Sequence, residues 1–331
     1  MRFPLSILAG GMLAGVLQVA NVAGAASPAA ACPAETAKAE PPGIFDGYEG
    51  CNPLGKYYDA LRSARPDWAS VHRCAVQDRN DAVLMMLHAN GYGVPRNVDR
   101  AIAHACRVDS APAELEGRLE HLQRLKAGQG KVQGKVPDKA PFDLCDDITS
   151  GMMMGFCANV GERADGADRN AALAKLGATF TPQQRSRFAA LRKATDAFAR
   201  SVGENETDLS GTARAAMSIG AQAAVQDELL ADLRAAEAGK LPAGTGAGFA
   251  AADKALNDVY RRVMALPVDA EGRVAYSTVT KPAIRTTQRA WIACRDAWTA
   301  FAEARYPSVP AAAWQARLTE RRTAQLRTWL D

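Results

Sequence analysis

The strongest constraint on this chain is the spacing of its apolar residues, which recur every three or four positions along several long segments. From Phe249 onward the steps between apolar residues are 3, 4, 3 and 4. That period lines up side chains on one face of an α-helix. The stripes are Phe188, Leu191, Thr195, Phe198 and Val202; Phe249, Ala252, Leu256, Val259 and Val263; Ile284, Trp291, Cys294, Trp298 and Phe301; and Trp314, Leu318, Arg322, Leu326 and Trp329. The four tryptophans from Trp291 onward fall on these stripes, so we expect them to be core residues. Thr181 and Gln184 predict a capping box at the start of the helix that carries the first stripe.

The predicted fold is all-α, with an N-terminal helical-repeat-like array and long helices joined to a C-terminal three-helix bundle. Pro- and Gly-rich stretches separate the helical segments and suggest boundaries. The expected order is a signal peptide (1–25), a tether (26–50), a repeat region (51–125), a linker (126–141), a long-helix region (142–240), a second linker (241–248) and a C-terminal helical domain (249–331).

The N-terminus has the pattern of an export signal. Arg2 precedes an apolar stretch, and Ala23-Gly24-Ala25 forms a cleavage site of small residues. The glycines and the short length argue against a membrane span. Cleavage before Cys32, as in a lipoprotein, is a weaker alternative because Ala29 stands where a larger aliphatic residue is usual. The mature chain is therefore expected to be periplasmic or secreted.

Export makes disulfides the default state of the cysteines. The chain has seven, an odd number, so at least one is unpaired. Cys74 and Cys106 lie 32 residues apart and could link adjacent helices. If one helix holds both Cys145 and Cys157, we expect them not to pair, since twelve residues at 1.5 Å rise separate them by about 18 Å. Cys294 lies on an apolar stripe and is the candidate for the unpaired thiol. The candidates for disulfides are Cys32, Cys51, Cys74, Cys106, Cys145 and Cys157.

The segment from Asp81 to Cys106 resembles the Sel-like α/α repeat, a relative of the tetratricopeptide repeat. The resemblance rests on Ala82, Leu84, Gly91, Gly93, Val94 and Ala101. It departs from the repeat consensus at Met85, His88 and Asn97. Such a unit implies two helices joined by a tight glycine turn, and stacked units present concave surfaces to proteins or peptides.

Charge and motifs exclude several classes of function. The net charge of +4 is too small for a nucleic-acid-binding protein. No H-E-x-x-H, G-x-S-x-G, phosphate-loop or dinucleotide-binding motif occurs in the sequence. The histidines are spaced as in a helical repeat rather than as a ligand set: His72, His88, His104 and His121. We therefore expect a binding protein without a catalytic site, cofactor or metal.

A row of polar residues flanks the C-terminal apolar stripes. Asp253, Asn257 and Tyr260 border one stripe, and Gln288 and Arg295 border the next. A buried arginine needs hydrogen-bonding partners, so these residues, together with Trp291, Asp296 and Arg322, predict a polar seam with an arginine–carboxylate lock between helices. A ligand-binding site is the alternative for the same residues.

At this row the sequence resembles the LprI-type lysozyme-inhibitor-like family. The motifs are Asp253, Leu256, Asn257 and Tyr260; Gln288, Arg289, Trp291, Arg295, Asp296 and Phe301; and Thr319, Arg322 and Leu326. The resemblance implies an exported, all-helical domain that inhibits lysozyme in part of the family. The family commonly has cysteines at the position of Thr299 and near Trp314, so this chain lacks the disulfide that would shape an inhibitory loop.

Two functions follow as hypotheses. The first is an exported envelope protein that binds and inhibits a lysozyme or another cell-wall hydrolase. The C-terminal segment carries thirteen basic and eight acidic side chains from Asp253 onward, and a net +5 would not be steered towards a basic lysozyme. Acidic segments such as Gly203–Asp208 or Cys145–Asp147 would have to supply the contact. The alternative is a periplasmic helical-repeat scaffold with no inhibitory activity.

Overall fold

The computed structural model describes Cys32, residues 50–128 and residues 141–331. The predicted signal peptide (1–25) lies outside these residues. So do most of the tether predicted at 26–50 and most of the linker predicted at 126–141.

The described residues form eleven α-helices and the segments that connect them, with two isolated β-bridges and no strand. This confirms the all-α fold class. The helices are α1 (Pro53–Arg62), α2 (Trp68–Gln77), α3 (Asp81–Asn90), α4 (Val98–Ala105), α5 (Pro112–Ala127), α6 (Gly151–Gly177), α7 (Pro182–Asn205), α8 (Arg214–Glu237), α9 (Gly246–Ala265), α10 (Lys281–Arg305) and α11 (Ala311–Arg327).

Helices α1 to α5 form an array around one hydrophobic core, in which Tyr57, Met86 and Leu122 are fully buried. α3 and α4 pack as a hairpin around the predicted glycine turn. Gly91 ends α3 in the left-handed conformation, with φ 74°. A side chain on Gly93 would meet the carbonyl oxygen of Trp68 at 2.9 Å, so this position requires glycine.

The disulfides of the array differ from the predicted link between Cys74 and Cys106. Cys74 bonds to Cys51, and Cys106 bonds to Cys32. The predicted link is wrong because α3 packs against both α2 and α4, and so lies between the helices that carry the two cysteines.

Cys145 and Cys157 form the third disulfide, with their Cα atoms 5.7 Å apart, so the prediction that they do not pair is wrong. The prediction assumed one continuous helix. Instead α6 begins at Gly151 with Ser150 as its N-cap, and residues 144–147 form a turn. Asp143 Oδ1 accepts a hydrogen bond from the backbone N–H of Cys145 (2.9 Å) and stabilises the turn.

The C-terminal helices pack against the helices before them rather than as an isolated three-helix bundle. α10 lies along α7, α11 along α9, and α8 along both α6 and α7. One core joins Phe188 and Leu233 to Trp298 and Trp314. A second core joins residues of α7 and α8 to residues of α9, α10 and α11. Both cores therefore contain residues from before and from after the linker predicted at 241–248.

Local predictions in this half are confirmed except for Trp329, which is half-buried rather than a core residue. Thr181 and Gln184 form the predicted capping box at the start of α7. Trp291, Trp298 and Trp314 are buried, with exposed fractions of 5%, 3% and 1%. These features depend on residues three or four positions apart, which is why the sequence pattern alone predicts them.

Two glycines on α6 give a matched test of its close packing on the segment before α8. A methyl group on Gly151 would place its carbon 2.2 Å from the backbone carbonyl carbon of Thr212, whereas one on Gly161 would meet no atom within 4 Å. We expect Gly151→Ala to lower the free energy of unfolding by about 1–3 kcal/mol, because the backbone must move. Gly161→Ala should instead raise it by roughly 0.5–1 kcal/mol through its better helix propensity. Urea unfolding of both variants measures this, and equal effects would contradict the packing.

Candidate functional site

Arg322 is the centre of the predicted polar seam and is only 1% exposed. Its guanidinium donates two hydrogen bonds to the carboxylate of Glu206 (2.8 and 2.5 Å) and one from Nε to Oε1 of Gln288 (2.9 Å). The ring of Phe198 lies 5.7 Å from the guanidinium carbon. An arginine–carboxylate pair therefore joins α11 to α10 and to the C-cap of α7.

Arg295 takes a different position, near the surface. It donates two hydrogen bonds to Oδ1 of the neighbouring Asp296 (2.9 and 2.8 Å), whose side chain is 56% exposed. Its guanidinium lies over the rings of Trp291 (5.2 Å) and Phe249 (5.8 Å), which are cation–π distances. The aromatic rings hold this arginine in place without a buried carboxylate.

The α9 residues of the predicted seam form a third, separate group. Asn257 Nδ2 donates a hydrogen bond to Oδ2 of Asp253 (3.0 Å), an exposed contact within the helix. Tyr260 is half-buried and packs against the second core. The structure thus brings Gln288 and Arg322 together, places Trp291, Arg295 and Asp296 beside each other, and leaves Asp253 and Asn257 paired on the surface of α9.

Sequence reasoning missed the carboxylate that binds Arg322. Glu206 lies 116 residues from Arg322 and within Gly203–Asp208, a segment noted only for its acidity. Its side chain is 6% exposed, so it is a structural partner and is not available to insert into another protein. The segment has one signal that points to this role. Glu206 is the C-cap of α7 and follows the apolar stripe of that helix, so its side chain lies next to the helices that the stripe contacts.

A cavity of about 50 Å³ lies between α7, α8, α10 and α11, next to Trp291, Arg295 and Arg322. A water molecule requires roughly 10–15 Å³ of such space, so the cavity has room for a few waters and not for a sugar ring. Cys294 lines it, with its Sγ 3.5 Å from Oγ1 of Thr195. Burial raises the pKa of the Cys294 thiol, which disfavours the reactive thiolate. Cys294 is the unpaired cysteine among the described residues, as predicted.

Further arginines of the C-terminal helices bind acids on α8. Arg317 and Arg321 both donate to the carboxylate of Asp232, at 2.7–2.9 Å. Arg305 donates two hydrogen bonds to Glu237 (2.9 and 2.7 Å). These hydrogen bonds, first among several causes, lower the pKa of Glu237. Together with the Arg322 pair, they balance much of the positive charge of α10 and α11.

Comparison with protein families identifies the class of this region. Residues 235–326 match the family described as lysozyme inhibitor LprI, which confirms the resemblance given by the three motifs. The match begins at the end of α8 and covers α9, α10 and nearly all of α11. Curated proteins and solved structures gave no match. The C-terminal part of the chain is therefore similar to the LprI family.

None of the helices in the part of the chain that the structure describes has the length and apolar character needed to cross a membrane.

Proposed function

We propose that this protein is an exported envelope protein that binds a cell-wall glycosidase and inhibits it. The observation that carries the proposal is the match of residues 235–326 to lysozyme inhibitor LprI. Three disulfides support a location outside the cytoplasm, because cysteine thiols inside the cytoplasm are kept reduced. The signal pattern at residues 1–25 agrees with export.

The structure weakens the electrostatic objection to a basic lysozyme as partner. The segment from Asp253 to Asp331 carries thirteen basic and eight acidic side chains. However, four of its arginines are bound by Glu206, Asp232 and Glu237, which lie outside that segment. The positive excess that faces a partner is therefore smaller than the sequence count suggests, and repulsion at long range is weaker.

We propose a structural role for the polar seam. Arg322 is only 1% exposed and is too deeply buried to contact a partner. Buried arginine–carboxylate pairs fix the relative position of helices when their hydrogen bonds are complete. The seam would then hold α10 and α11 in the arrangement that presents their connecting loops.

The test is inhibition of cell-wall hydrolysis by the purified, oxidised protein from Ala26 onward. Basic animal lysozyme, bacterial hydrolases and phage hydrolases should be assayed across ionic strength, with reduced protein as a control. We expect saturable inhibition of at least one enzyme at a one-to-one ratio. If none is inhibited at a tenfold excess, the proposal fails and the family match describes the fold alone.

Truncation is a poor way to locate the activity in this protein. Removing the chain after Lys240 would take α9, α10 and α11 away from two cores that they share with α7 and α8. Loss of inhibition would then report unfolding as readily as loss of a binding site. Single surface substitutions in the full chain avoid this problem.

A helical-repeat scaffold is the second candidate, and one observation favours it. A groove of about 590 Å³ lies between α1 and α6, with Tyr58, Phe156, Arg62 and Arg163 among its lining residues. Its lining is mainly apolar, and its two arginines pair with Asp168 and Asp59, so the groove suits an extended apolar peptide. Phe156→Asp should abolish binding of such a peptide, whereas Met152→Asp, at a position on α6 that is 75% exposed, should not. Equal binding by both variants would exclude the groove.

A further inference from the structure

The loop between α9 and α10 projects one aromatic side chain into solvent. Tyr276 has an exposed fraction of 107%, so it is at least as accessible as in an extended peptide. Val268, at the start of the same loop, is 45% exposed. A side chain at this exposure contributes little to the packing of the folded state and is free to contact a partner.

The backbone at the tip is unusual. Ala275 and Tyr276 are consecutive residues in the left-handed region, with φ 51° and 56°. Residues with a Cβ seldom adopt this conformation, and a bulky residue does so only when its surroundings enforce it. Neither position is glycine or asparagine, the residues that adopt this conformation most readily.

Buried residues enforce this conformation from both sides of the tip. Val274 and Val279 are 0% and 3% exposed and belong to the second core. Val274 N–H donates to the carbonyl oxygen of Val279 (2.8 Å). Ser277 Oγ donates to the carbonyl oxygen of Val274 (2.6 Å) and accepts from the N–H of Val279 (3.1 Å). The tip is therefore a turn that is closed by hydrogen bonds and held at both ends by buried valines.

The loop between α7 and α8 provides a second anchor. Asp208 Oδ1 accepts hydrogen bonds from the N–H (3.0 Å) and the hydroxyl (3.3 Å) of Thr278. Thr278 Oγ1 accepts a hydrogen bond from the N–H of Leu209 (2.7 Å). A segment more than sixty residues away thus holds the tip in place, which reduces the entropy lost when it binds a partner.

The connection between α10 and α11, also in the segment that matches LprI, has its large side chains turned towards the core. The loop between α10 and α11 contains Tyr306 and Val309, which are 8% and 9% exposed. Tyr306 donates its hydroxyl proton to Oε1 of Glu237 (2.8 Å) and stacks on Trp314. This loop therefore offers no aromatic side chain to a partner, whereas the α9–α10 loop does.

We propose that the tip loop, residues 274–279, is the element that enters the substrate cleft of the inhibited glycosidase, with Tyr276 at its point. This inference rests on the proposed function. A projecting tip fits a concave cleft, and a tyrosine supplies a flat apolar face together with a hydroxyl donor. Glycosidase clefts bind sugar rings beside a pair of carboxyl groups. The ring would occupy a sugar position, and the hydroxyl would donate to a carboxylate.

The charge of the loop agrees with this partner. Arg273 donates to Asp269 (2.7 Å) and to Glu271 (2.8 Å), so the charged residues at the base are paired with one another. The tip from Val274 to Val279 contains no charged side chain. Neither a basic enzyme surface nor an acidic cleft would repel it.

The test compares Tyr276→Ala with Ile292→Ala in the full oxidised chain, against each hydrolase that the wild-type protein inhibits. Ile292 is a 39% exposed residue on α10 and serves as the matched control. We expect Tyr276→Ala to raise the inhibition constant at least 30-fold, as a central hot-spot residue would, and Ile292→Ala to change it less than twofold. Tyr276→Phe separates the contribution of the ring from that of the hydroxyl.

Thermal unfolding of each variant checks that the fold is intact, and we expect Tyr276→Ala to leave Tm unchanged because the Tyr276 side chain is fully exposed. Inhibition by Tyr276→Ala equal to that of wild type would overturn the role of the loop and leave the proposed function standing. Absence of inhibition by the wild-type protein would overturn both. As an independent readout, Tyr276 should be protected from nitration in the complex and reactive in the free protein. Equal nitration in the two states would also contradict the proposal.

Discussion

Replacement of Arg322 by methionine is expected to lower the free energy of unfolding by about 3–5 kcal/mol. The substitution leaves the carboxylate of Glu206, only 6% exposed, without its two charged hydrogen bonds. It also removes the donor to Gln288. A buried carboxylate without a partner costs much more than the lost packing of the arginine chain.

Denaturant unfolding measures this effect, and two further variants identify its cause. Arg295→Met should cost less than about 1 kcal/mol, because the partner Asp296 is 56% exposed. The double variant Arg322→Met with Glu206→Leu should recover most of the stability, since it buries no unpaired charge. If the double variant loses as much as the sum of the two single changes, the pair does not act as a unit.

Replacement of Trp314 by alanine should cost about 3–5 kcal/mol, the usual range for a large aromatic residue in a core. Trp314 is 1% exposed, with its ring centre 5.6 Å from that of Trp298 and 5.5 Å from that of Tyr306. It stands near a position where the LprI-type family commonly has a cysteine. In this chain, aromatic packing joins α10 and α11.

Trp314→Phe should cost less than Trp314→Ala, because much of the aromatic contact remains. Among the described residues the indole Nε1 of Trp314 has no hydrogen-bond partner, so phenylalanine loses no hydrogen bond there. Near-ultraviolet circular dichroism with thermal unfolding would follow both variants. Similar stability of the alanine variant and the wild type would show that this aromatic cluster does not hold the helices together.

The sequence predicted those features that depend on neighbouring residues. The capping box at Thr181 and the burial of Trp291 and Trp298 follow from spacings of three or four. The LprI resemblance also came from short motifs with local order. Such features are set by the helix itself, so they need no knowledge of which helices meet.

Features that depend on distant segments could not be predicted in this way. Glu206 binds Arg322 from 116 residues away, and many other carboxylates in the sequence looked equally suitable. The pairing of Cys145 with Cys157 depended on where α6 begins, a boundary that the pattern of small residues and methionines did not mark. The conformation of Tyr276 had no sequence signal, because buried neighbours rather than a glycine impose it.

The positions of the disulfides give the two halves of the molecule different sensitivities to their surroundings. All three bonds lie between Cys32 and Cys157, whereas the described helices from α7 onward contain none. A reductant would therefore act first on the array, because it would break the disulfides that cross-link that half. Acid would act on both halves, since Glu237 in one and Glu114 in the other have lowered pKa values in the folded state. Their contribution to stability is present above the unfolded pKa and lost as pH falls through the folded pKa. We expect a thiol reductant to open the array while the C-terminal half, whose described residues hold no disulfide, keeps its shape.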